Sequence, residues 1–407
     1  MKIIFFTENI YCGGMDSFLI TLINNWPDQR DDITIVGNQG HPGLDVIGQR
    51  LSRKCRIVRH QLPMYYNLLQ KIKRHEKFGL ILKVLLPLQY LLFVYYIFAL
   101  RKILLTDRPD RMMVVAGNYP GGDTCRAAVI SWALFAKGPK AIFNFHNMVI
   151  VTPWGKKWIE FFIDRLVGSF SLQLITVSNA AAQSMQNRPA MVSMKKTFYI
   201  YNGIDAPKYD SARREKTLRE ELGLDAGSKL CLMMGTYEER KGHKFLLRSF
   251  QKVVNKIPSA HLIICGHGFP EEIDVVRKVV EQLDMAKYVH LFGFRDDVSF
   301  LIQSVDVLLV SSQAFESFGL TCVEAMAQRV PVVATQVGGL PEVVRDGDGG
   351  YCLPPDDVEG YASQIIRLLE DDGLRKVQGE KGYRRYQRMF TGERMARKYS
   401  EIICREI

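Results

Sequence analysis

The chain has 407 residues, of which 47% are hydrophobic and 24% are charged. This length exceeds what one hydrophobic core usually supports, so we expect two domains, and the composition excludes a disordered or low-complexity protein. The formal net charge of +11 is unevenly distributed, since residues 1–200 contain 25 Lys and Arg against 12 Asp and Glu. Such a basic half indicates an anionic partner, although a solvated basic face would carry the same charge.

The N-terminus and the cysteines indicate a cytoplasmic protein. The four apolar residues at 3–6 are too short a run for a signal peptide, and residues 2–7 fit a first β-strand. The eight cysteines are scattered, and no pair has the spacing of metal ligands. We therefore expect neither a zinc site nor a disulfide framework, which agrees with a reducing cytosol.

Short apolar runs alternate with amphipathic helical stretches along the whole chain. The predicted strands form two series, at 2–7, 33–37, 112–116, 141–145, 174–178 and 198–201, and then at 230–234, 261–265, 289–292, 306–310 and 331–334. Near-continuous apolar strands separated by helices are typical of parallel sheets buried on both faces. The sequence therefore predicts an α/β protein with two doubly wound, Rossmann-like domains, 1–202 and 203–385, and a C-terminal helix over 386–407.

Residues 79–105 form a long apolar stretch in the basic half, and residues 84–100 carry no charge. Basic residues flank both ends, which favours a helix that packs on its own sheet and presents apolar and basic groups to a membrane surface. A fully buried core helix is an equally open alternative. A transmembrane helix ranks third, because it would divide the first domain between two compartments. The expected membrane-docking region is therefore 64–105.

The strongest functional signal lies at residues 305–342. A buried strand is followed by a polar loop, and a helix begins near Gly319 and Leu320. Ligands of open α/β sheets bind at this carboxyl edge, and the unpaired N–H groups of a helix N-terminus can hold a diphosphate. Glu316 before the helix and Glu324 within it can then accept hydrogen bonds from the sugar and the ribose of one ligand.

Four other residues are candidates for ligand binding in this context. Lys241 follows a strand and a turn, where a cation can meet a leaving diphosphate, although taken alone it reads as a surface lysine. His146 ends an apolar strand at the inferred ligand edge, whereas a lone histidine is more often structural. Gly13 and Gly14 open the first helix and let a phosphate or an acceptor approach the backbone, although alone they read as a plain turn.

These motifs together resemble the signature of the retaining glycosyltransferases of family 4. The resemblance rests on Glu316-x7-Glu324 with Phe318-Gly319 between them, on Gly338-Gly339, on the loop 235–242, on Gly266-x-Gly268, and on Asn202 to Asp205. It covers essentially the whole chain and is weakest at 40–110. It implies the GT-B fold, in which two Rossmann-like domains face each other and the C-terminal helix crosses back to the first domain.

The resemblance also implies roles for individual residues. It makes His146, Lys241 and Glu316 the catalytic residues and places donor contacts at Gly13, Gly14, Thr236, Arg240, Gly266, Phe294, Arg295, Ser317, Phe318, Gly319, Leu320 and Glu324. One position departs from the family pattern, because Thr236 stands where the family usually has arginine. Lys241 and the helix N-terminus would then neutralise more of the diphosphate, or Arg240 would move in.

The expected function is transfer of a sugar, with retention of configuration, from a nucleotide-diphosphate sugar to a glycan or lipid-linked acceptor in cell-surface polysaccharide assembly. The resemblance implies neither a metal ion nor a cofactor. We expect a cytoplasmic protein that docks peripherally on an anionic membrane at its inner face. A nucleotide-sugar epimerase of the same fold and a non-catalytic nucleotide-sugar-binding partner remain alternatives. Nucleic acid is not an expected partner, because no reader motif accompanies the basic charge.

Overall fold

The computed structural model describes residues 1–10, 13–65, 79–206 and 216–405, and for residues 79–86 it describes the backbone only. The chain divides into two compact units. Unit 1 comprises Met1–Tyr201 together with Gly392–Ile407, and unit 2 comprises Asn202–Thr391. Residues 66–78 of the expected membrane-docking region and 207–215 of the segment after the first predicted domain lie outside the described residues.

Unit 1 is built on a seven-stranded parallel sheet with the order β3-β2-β1-β4-β5-β6-β7. Its strands are β1 (Lys2–Glu8), β2 (Asp32–Asn38), β3 (Arg56–His60), β4 (Arg111–Ala116), β5 (Ala141–Phe145), β6 (Ser171–Thr176) and β7 (Thr197–Tyr199). Successive residues of β1 point to opposite faces, so Ile3 and Phe5 enter one apolar cluster while Ile4 and Phe6 enter another. The order changes direction between β1 and β4, which is the topological switch point of a doubly wound sheet.

Helices cover both faces of the first sheet. They are α1 (Gly14–Asn24), α2 (Gly43–Arg50), α3 (Gly79–Leu104), α4 (Asp123–Phe135), α5 (Lys157–Phe170), α6 (Asn179–Gln183), α7 (Pro189–Val192) and the last helix of the chain, α16 (Gly392–Ile403). One cluster joins α1 and α2 to α16, and the other joins α3, α4 and α5. Tyr399 fixes α16, because its hydroxyl accepts a hydrogen bond from Asn144 at 2.8 Å and its ring meets the edge of Phe18.

Unit 2 repeats the same architecture with the strand order β10-β9-β8-β11-β12-β14-β13, again all parallel. Its strands are β8 (Lys229–Met234), β9 (Ala260–Cys265), β10 (Val289–Phe292), β11 (Val307–Val310), β12 (Val332–Thr335), β13 (Arg345–Asp346) and β14 (Gly349–Leu353). Five of these strands, β8 to β12, contain residues buried in one apolar cluster, which also includes residues of the neighbouring helices. Because all strands are parallel, their carboxyl ends lie along one edge of the sheet.

The helices of unit 2 are α8 (Leu218–Glu221), α9 (His243–Lys256), α10 (Pro270–Gln282), α11 (Val298–Gln303), α12 (Leu320–Ala327), α13 (Leu340–Val343), α14 (Val358–Glu370) and α15 (Asp372–Met389). α9 and α14 pack against each other through Phe245 and Tyr361, whose rings meet edge to face at 5.1 Å. α12 packs on α15. The loops that follow the strands connect to these helices.

Three elements differ from the sequence prediction. β3 and the β13–β14 pair were not predicted, because Arg56–His60 carries charges and Gly349–Leu353 begins with two glycines. The segment 386–407 is not one helix. α15 continues to Met389, the backbone turns at Phe390 and Thr391, where Ile204 N donates to Phe390 O at 3.0 Å, and α16 begins afterwards.

The apolar stretch at 79–105 forms α3, which is partly buried and partly exposed. Its window Pro87–Leu104 is long and apolar enough to cross a membrane by length and composition, with a mean hydropathy of 1.2. Phe93, Tyr96, Leu100 and Leu104 are buried in the core of unit 1. Other side chains of the same helix are exposed, so the alternative of a fully buried core helix is wrong.

Candidate functional site

The carboxyl edge of the unit 2 sheet brings several of the predicted site residues together. The loop 235–242 follows β8, the loop 311–319 follows β11, and the turn 336–339 follows β12. Two hydrogen bonds join the first two loops, because Ser311 Oγ donates to Lys241 O at 2.8 Å and Gln313 N donates to Arg240 O at 2.8 Å. The edge is therefore a set of mutually supported loops.

Lys241 and Glu316 form an ion pair at this edge. The Nζ of Lys241 donates to Oε2 of Glu316 at 2.5 Å, and both side chains keep only about a sixth of their surface exposed, 16% and 17%. Ser312 Oγ donates to the same carboxylate oxygen at 3.2 Å. The two predicted catalytic residues of unit 2 are thus in direct contact, with an ammonium group beside a carboxylate.

Two glycines pack closely against the backbone of Glu316 and Ser317. Gly338 has a φ of +57°, and a Cβ there would lie 2.1 Å from the carbonyl oxygen of Glu316. Gly339 N donates to that oxygen at 2.8 Å, and a Cβ on Gly339 would lie 2.4 Å from Ser317 O. Any other residue at these positions would push the loop away, so the glycine pair fixes where the Glu316 side chain begins.

The helix α12 begins directly beyond this pair. Gly319 has a φ of +93° and precedes Leu320, the first helical residue, while Phe318 is buried and meets Phe390 edge to face at 5.8 Å. Intrahelical bonding starts when Cys322 N donates to Gly319 O at 3.0 Å. The N–H groups before Cys322 therefore point out of the helix end, where the dipole favours an anion.

Glu324 lies one turn into α12 and is partly buried. Burial raises the pKa of this carboxyl to about 7. Within the described part of the chain, no side chain or backbone donor lies within hydrogen-bonding distance of its carboxylate. A partly buried carboxylate of this kind suits a ligand that supplies hydroxyl donors, because such bonds favour the ionised form.

In the loop 235–242, one carboxylate binds both Thr236 and Arg240. The hydroxyl of Thr236 donates to Glu238 Oε1 at 2.7 Å, and Arg240 Nε donates to Glu238 Oε2 at 2.5 Å. Burial acts to raise the pKa of Glu238, but the hydrogen bonds from Arg240 and Thr236 outweigh it and lower that pKa. The Arg240 guanidinium also lies 4.9 Å from the ring centre of Phe315. The Arg240 side chain is therefore held by Glu238 and Phe315.

The remaining predicted donor contacts of unit 2 lie after β9 and β10. Gly266 is required by close packing, because a Cβ there would lie 1.7 Å from Gly235 O. Phe294 is 73% exposed. The Arg295 guanidinium contacts Glu221 and also binds Asp297, with Nη2 at 2.6 Å from Oδ2. The Arg295 side chain thus pairs with two carboxylates, and its donor contact stays a prediction.

His146, Gly13 and Gly14 lie at the carboxyl edge of the unit 1 sheet. The ring of His146 meets Phe18 of α1 at 4.2 Å, and burial lowers the pKa of His146 to about 3 against the opposing attraction of Asp16. Its Nε2 has no hydrogen-bond partner among the residues that the structure describes. Gly13 N donates to Asp16 Oδ2 at 2.8 Å, which secures the start of α1. His146 is therefore a neutral imidazole beside a helix N-terminus.

The structure adds residues that the sequence prediction did not name. Ser312 contacts Glu316, and Glu238 holds both Thr236 and Arg240. The sequence signal for Ser312 was its place directly after a buried strand, in the polar loop that ends in Glu316. Glu238 carried no distinguishing signal, since it stands in a run of charged residues.

Parts of this chain are similar to a known protein family and to individual proteins. Residues 214–385 match the family model described as Glycosyl transferases group 1. Over 236 residues the chain is 31% identical to N-acetyl-alpha-D-glucosaminyl L-malate synthase of Bacillus anthracis, covering 57% of this chain and 60% of that protein. Over 213 residues it is 33% identical to phosphatidyl-myo-inositol mannosyltransferase of Mycobacterium tuberculosis, covering 50% of this chain and 53% of that protein. The matches thus span a little over half the length of these relatives.

The fold of the whole chain is similar to that of HepE from Anabaena, solved in complex with UDP. The TM-score is 0.72 at 19% identity, and the similarity covers 99% of this chain and 100% of that one. The chain therefore has the GT-B fold, with two parallel seven-stranded sheets. The segment that matches the group 1 glycosyltransferase model includes Lys241, Glu316 and Glu324, and it lies within unit 2.

Proposed function

We propose that this protein is a glycosyltransferase that moves a sugar from a nucleotide-diphosphate sugar to an acceptor, with retention of anomeric configuration and without a metal ion. The observation that carries the proposal is the Lys241–Glu316 pair beside the N-terminus of α12. A cation, a row of free N–H groups and two carboxylates are the groups that a sugar diphosphate needs around it.

Each group has a separate task in the proposed reaction. The N–H groups at Gly319 and Leu320 and the ammonium of Lys241 stabilise the charge that grows on the leaving diphosphate. Glu316 accepts hydrogen bonds from sugar hydroxyls, and Glu324 accepts them from the ribose. Lys241 changes partner from Glu316 to phosphate when the donor arrives, so the apo ion pair keeps both groups charged and in place.

The proposal of retention is supported by the groups available among the described residues of this edge. Among the residues described at this edge, the carboxylates of Glu316 and Glu324 are the nucleophilic candidates, and both are assigned to hydroxyl binding. The acceptor then attacks on the face that the diphosphate leaves, with a phosphate oxygen taking the acceptor proton. His146 of unit 1, neutral and with an unpartnered Nε2, is suited to hydrogen bonding with the sugar or its phosphate.

The acceptor is proposed to be a glycan or a lipid-linked glycan at the inner face of a cell membrane. Support comes from the basic first half of the chain and from the partly exposed apolar helix α3. The Mycobacterium tuberculosis relative is named for a phosphatidyl-inositol acceptor, which is a membrane lipid. The proposed place of action is the cytoplasmic surface of the membrane.

The test measures donor binding and sugar transfer separately. Wild-type protein is screened by thermal shift against UDP, GDP and their common sugar derivatives, since a ligand at 100 times its Kd stabilises the folded state by about 2.7 kcal/mol. With the donor so identified, transfer of its sugar to an added glycan or lipid-linked acceptor is followed by NMR in the presence and absence of EDTA. We expect an α-linked product from an α-linked donor and an unchanged rate with EDTA.

Two variants assign the roles of the ion pair. Glu316→Gln should keep nucleotide binding and lower the rate about 100-fold or more, whereas Lys241→Met should weaken nucleotide diphosphate binding as well. Glu281→Gln, at an exposed position on α10, is the matched control and should behave as wild type. Full activity in Glu316→Gln would refute the assignment of this site.

A further inference from the structure

The helix α5 of unit 1 is oriented with its acidic residues inward. It buries Glu160 and Asp164 together with Ile163, Val167 and Gly168. Arg126 Nη1 donates to Glu160 Oε2 at 2.7 Å, and Arg188 Nη1 lies 3.2 Å from Asp164 Oδ2. Because both carboxylates are paired in the interior, they contribute no negative charge to the outer face of this helix.

The outer face of α5 and the turn before it carry large apolar side chains. Trp154 is 85% exposed, Trp158 is 78% exposed and Phe162 is 62% exposed. The other exposed large apolar residues of this segment are Ile150, Val151, Ile159, Phe161 and Leu166. Contiguous exposure of this kind is rare on soluble monomers and marks an interaction surface. We call residues 150–166 the tryptophan face.

Charge and continuity indicate what covers the tryptophan face. The exposed charged residues of α5 are Lys157 and Arg165, both cationic. Lys156 Nζ donates to Gln89 Oε1 at 2.8 Å, which connects the turn before α5 to α3. On α3 the exposed large apolar residues are Leu91, Val94, Tyr95 and Phe98. The same helical layer of unit 1 therefore presents apolar groups from two helices with basic groups among them.

We infer that the tryptophan face inserts into the interfacial zone of an anionic phospholipid bilayer, with α5 lying parallel to the membrane plane. Tryptophan suits this zone because its ring is apolar and its N–H still meets water, and lysine and arginine pair with lipid phosphates. The inference rests on the proposed function for its cellular setting. It adds the segment 150–166 to the membrane-docking region 64–105 that the sequence predicts.

The distribution of tryptophans gives a direct assay. The chain has four, and Trp26 and Trp132 are buried, so a fluorescence change on adding vesicles reports on Trp154 and Trp158. With full-length protein and vesicles of phosphatidylglycerol and phosphatidylethanolamine, we expect a blue shift and quenching by lipids brominated on their acyl chains. Vesicles of phosphatidylcholine alone should bind the protein at least about tenfold more weakly.

Variants connect the signal to this surface. In vesicle flotation, which does not depend on fluorescence, Trp154→Ser/Trp158→Ser should bind anionic vesicles at least about tenfold more weakly, since each ring buries apolar area. Phe269→Ser, which removes a 63% exposed aromatic from unit 2, should float as wild type. Both positions of the double variant are exposed, so its melting temperature should match that of wild type.

Three results would overturn the inference. The first is equal flotation of the wild type and the double variant. The second is a blue shift without quenching by brominated lipids. The third is a lipid-independent dimer in sedimentation equilibrium that the double variant loses, which would assign the face to a second copy of the chain. Nucleotide-induced thermal shifts are read on the same samples, so vesicle binding without any nucleotide response would refute the proposed function and leave this inference standing.

Discussion

The raised pKa of Glu324 makes the stability of the ligand-free protein depend on pH in a way that one substitution removes. An ordinary glutamate titrates near 4.5, and burial raises the pKa of Glu324 to about 7. Between these values the folded state holds a proton that the unfolded chain has released. The free energy of unfolding therefore falls as pH rises from 4.5 to 7, and the loss is complete above about pH 8.

The magnitude follows from the size of this shift. A difference of about 2.5 pH units corresponds to about 3 kcal/mol at 1.36 kcal/mol per unit, and partial exposure of the carboxyl reduces this to about 1–2 kcal/mol. Glu324→Gln keeps the shape of the side chain and removes the ionisation. The variant should equal wild type at pH 4 and exceed it by about 1–2 kcal/mol at pH 8.

Urea denaturation of both proteins at pH 4, 6 and 8 measures this difference, with Glu281→Gln as the control for loss of a carboxylate. Nucleotide binding gives a second readout. Ribose hydroxyls favour the ionised carboxylate, so the Kd of wild type should fall as pH rises from 6 to 8, while the Kd of Glu324→Gln should not change over that range. A constant stability difference between the two proteins from pH 4 to pH 8 would refute the reasoning.

Two further predictions concern a close backbone contact in unit 2 and a buried ion pair in unit 1. Gly338→Ala should destabilise the protein by about 1–3 kcal/mol and lower the rate of sugar transfer. The new Cβ would lie 2.1 Å from Glu316 O, in a backbone with positive φ. Urea denaturation measures the loss of stability, and a transfer assay measures the rate. Arg126→Met should cost about 3–5 kcal/mol in the same denaturation assay, because Glu160 then loses one of its two buried arginine partners.

Each of these substitutions has a matched control. Gly347→Ala also replaces a glycine of positive φ, at +70°, but its Cβ would meet open space, so it should cost less than Gly338→Ala. Arg30→Met removes the arginine of an exposed pair with Asp28 and should leave the denaturation midpoint unchanged. Equal losses within either pair would show that the close contact or the buried pairing is not the cause.

The fold class was predictable because most strands of both sheets are short apolar runs separated by helices. This pattern is typical of parallel sheets that are buried on both faces. β5 and β10 have the predicted bounds, Ala141–Phe145 and Val289–Phe292. β3 escaped prediction because an edge strand pairs on one side only and tolerates charge, as Arg56 and Arg59 show. β14 escaped because its first two residues are glycines, which local patterns assign to turns.

The sequence indicated candidate site residues but not which of them contact each other. The spacing of Glu316 and Glu324 about a helix start indicated a diphosphate site. That Lys241 contacts Glu316 directly did not follow from the sequence, because the two residues are 75 positions apart. The ion pairs of Arg295 did not follow from the sequence either, because Glu221 lies on α8, far from Arg295 in the chain, and only the fold brings it close.

The tryptophan face is a surface that helical periodicity alone does not reveal. Glu160 and Asp164 are spaced as on the solvated side of an ordinary amphipathic helix, so the pattern by itself would place the aromatic residues of α5 on the buried side. The orientation is reversed because Arg126 and Arg188 neutralise those carboxylates inside unit 1. Only the tertiary partners of the acids reveal which side of α5 faces outward.

The order in which the chain visits its units has a consequence for synthesis. Unit 1 needs the last helix, α16, whose Tyr399 contacts Asn144, whereas unit 2 has all of its residues once Thr391 is made. Residues 1–201 leave the ribosome before unit 2, yet the core of unit 1 is complete only after α16 has been made. Until then, the surface of unit 1 that α16 will cover stays uncovered, so translation that stops just after Thr391 yields a complete unit 2 joined to an incomplete unit 1.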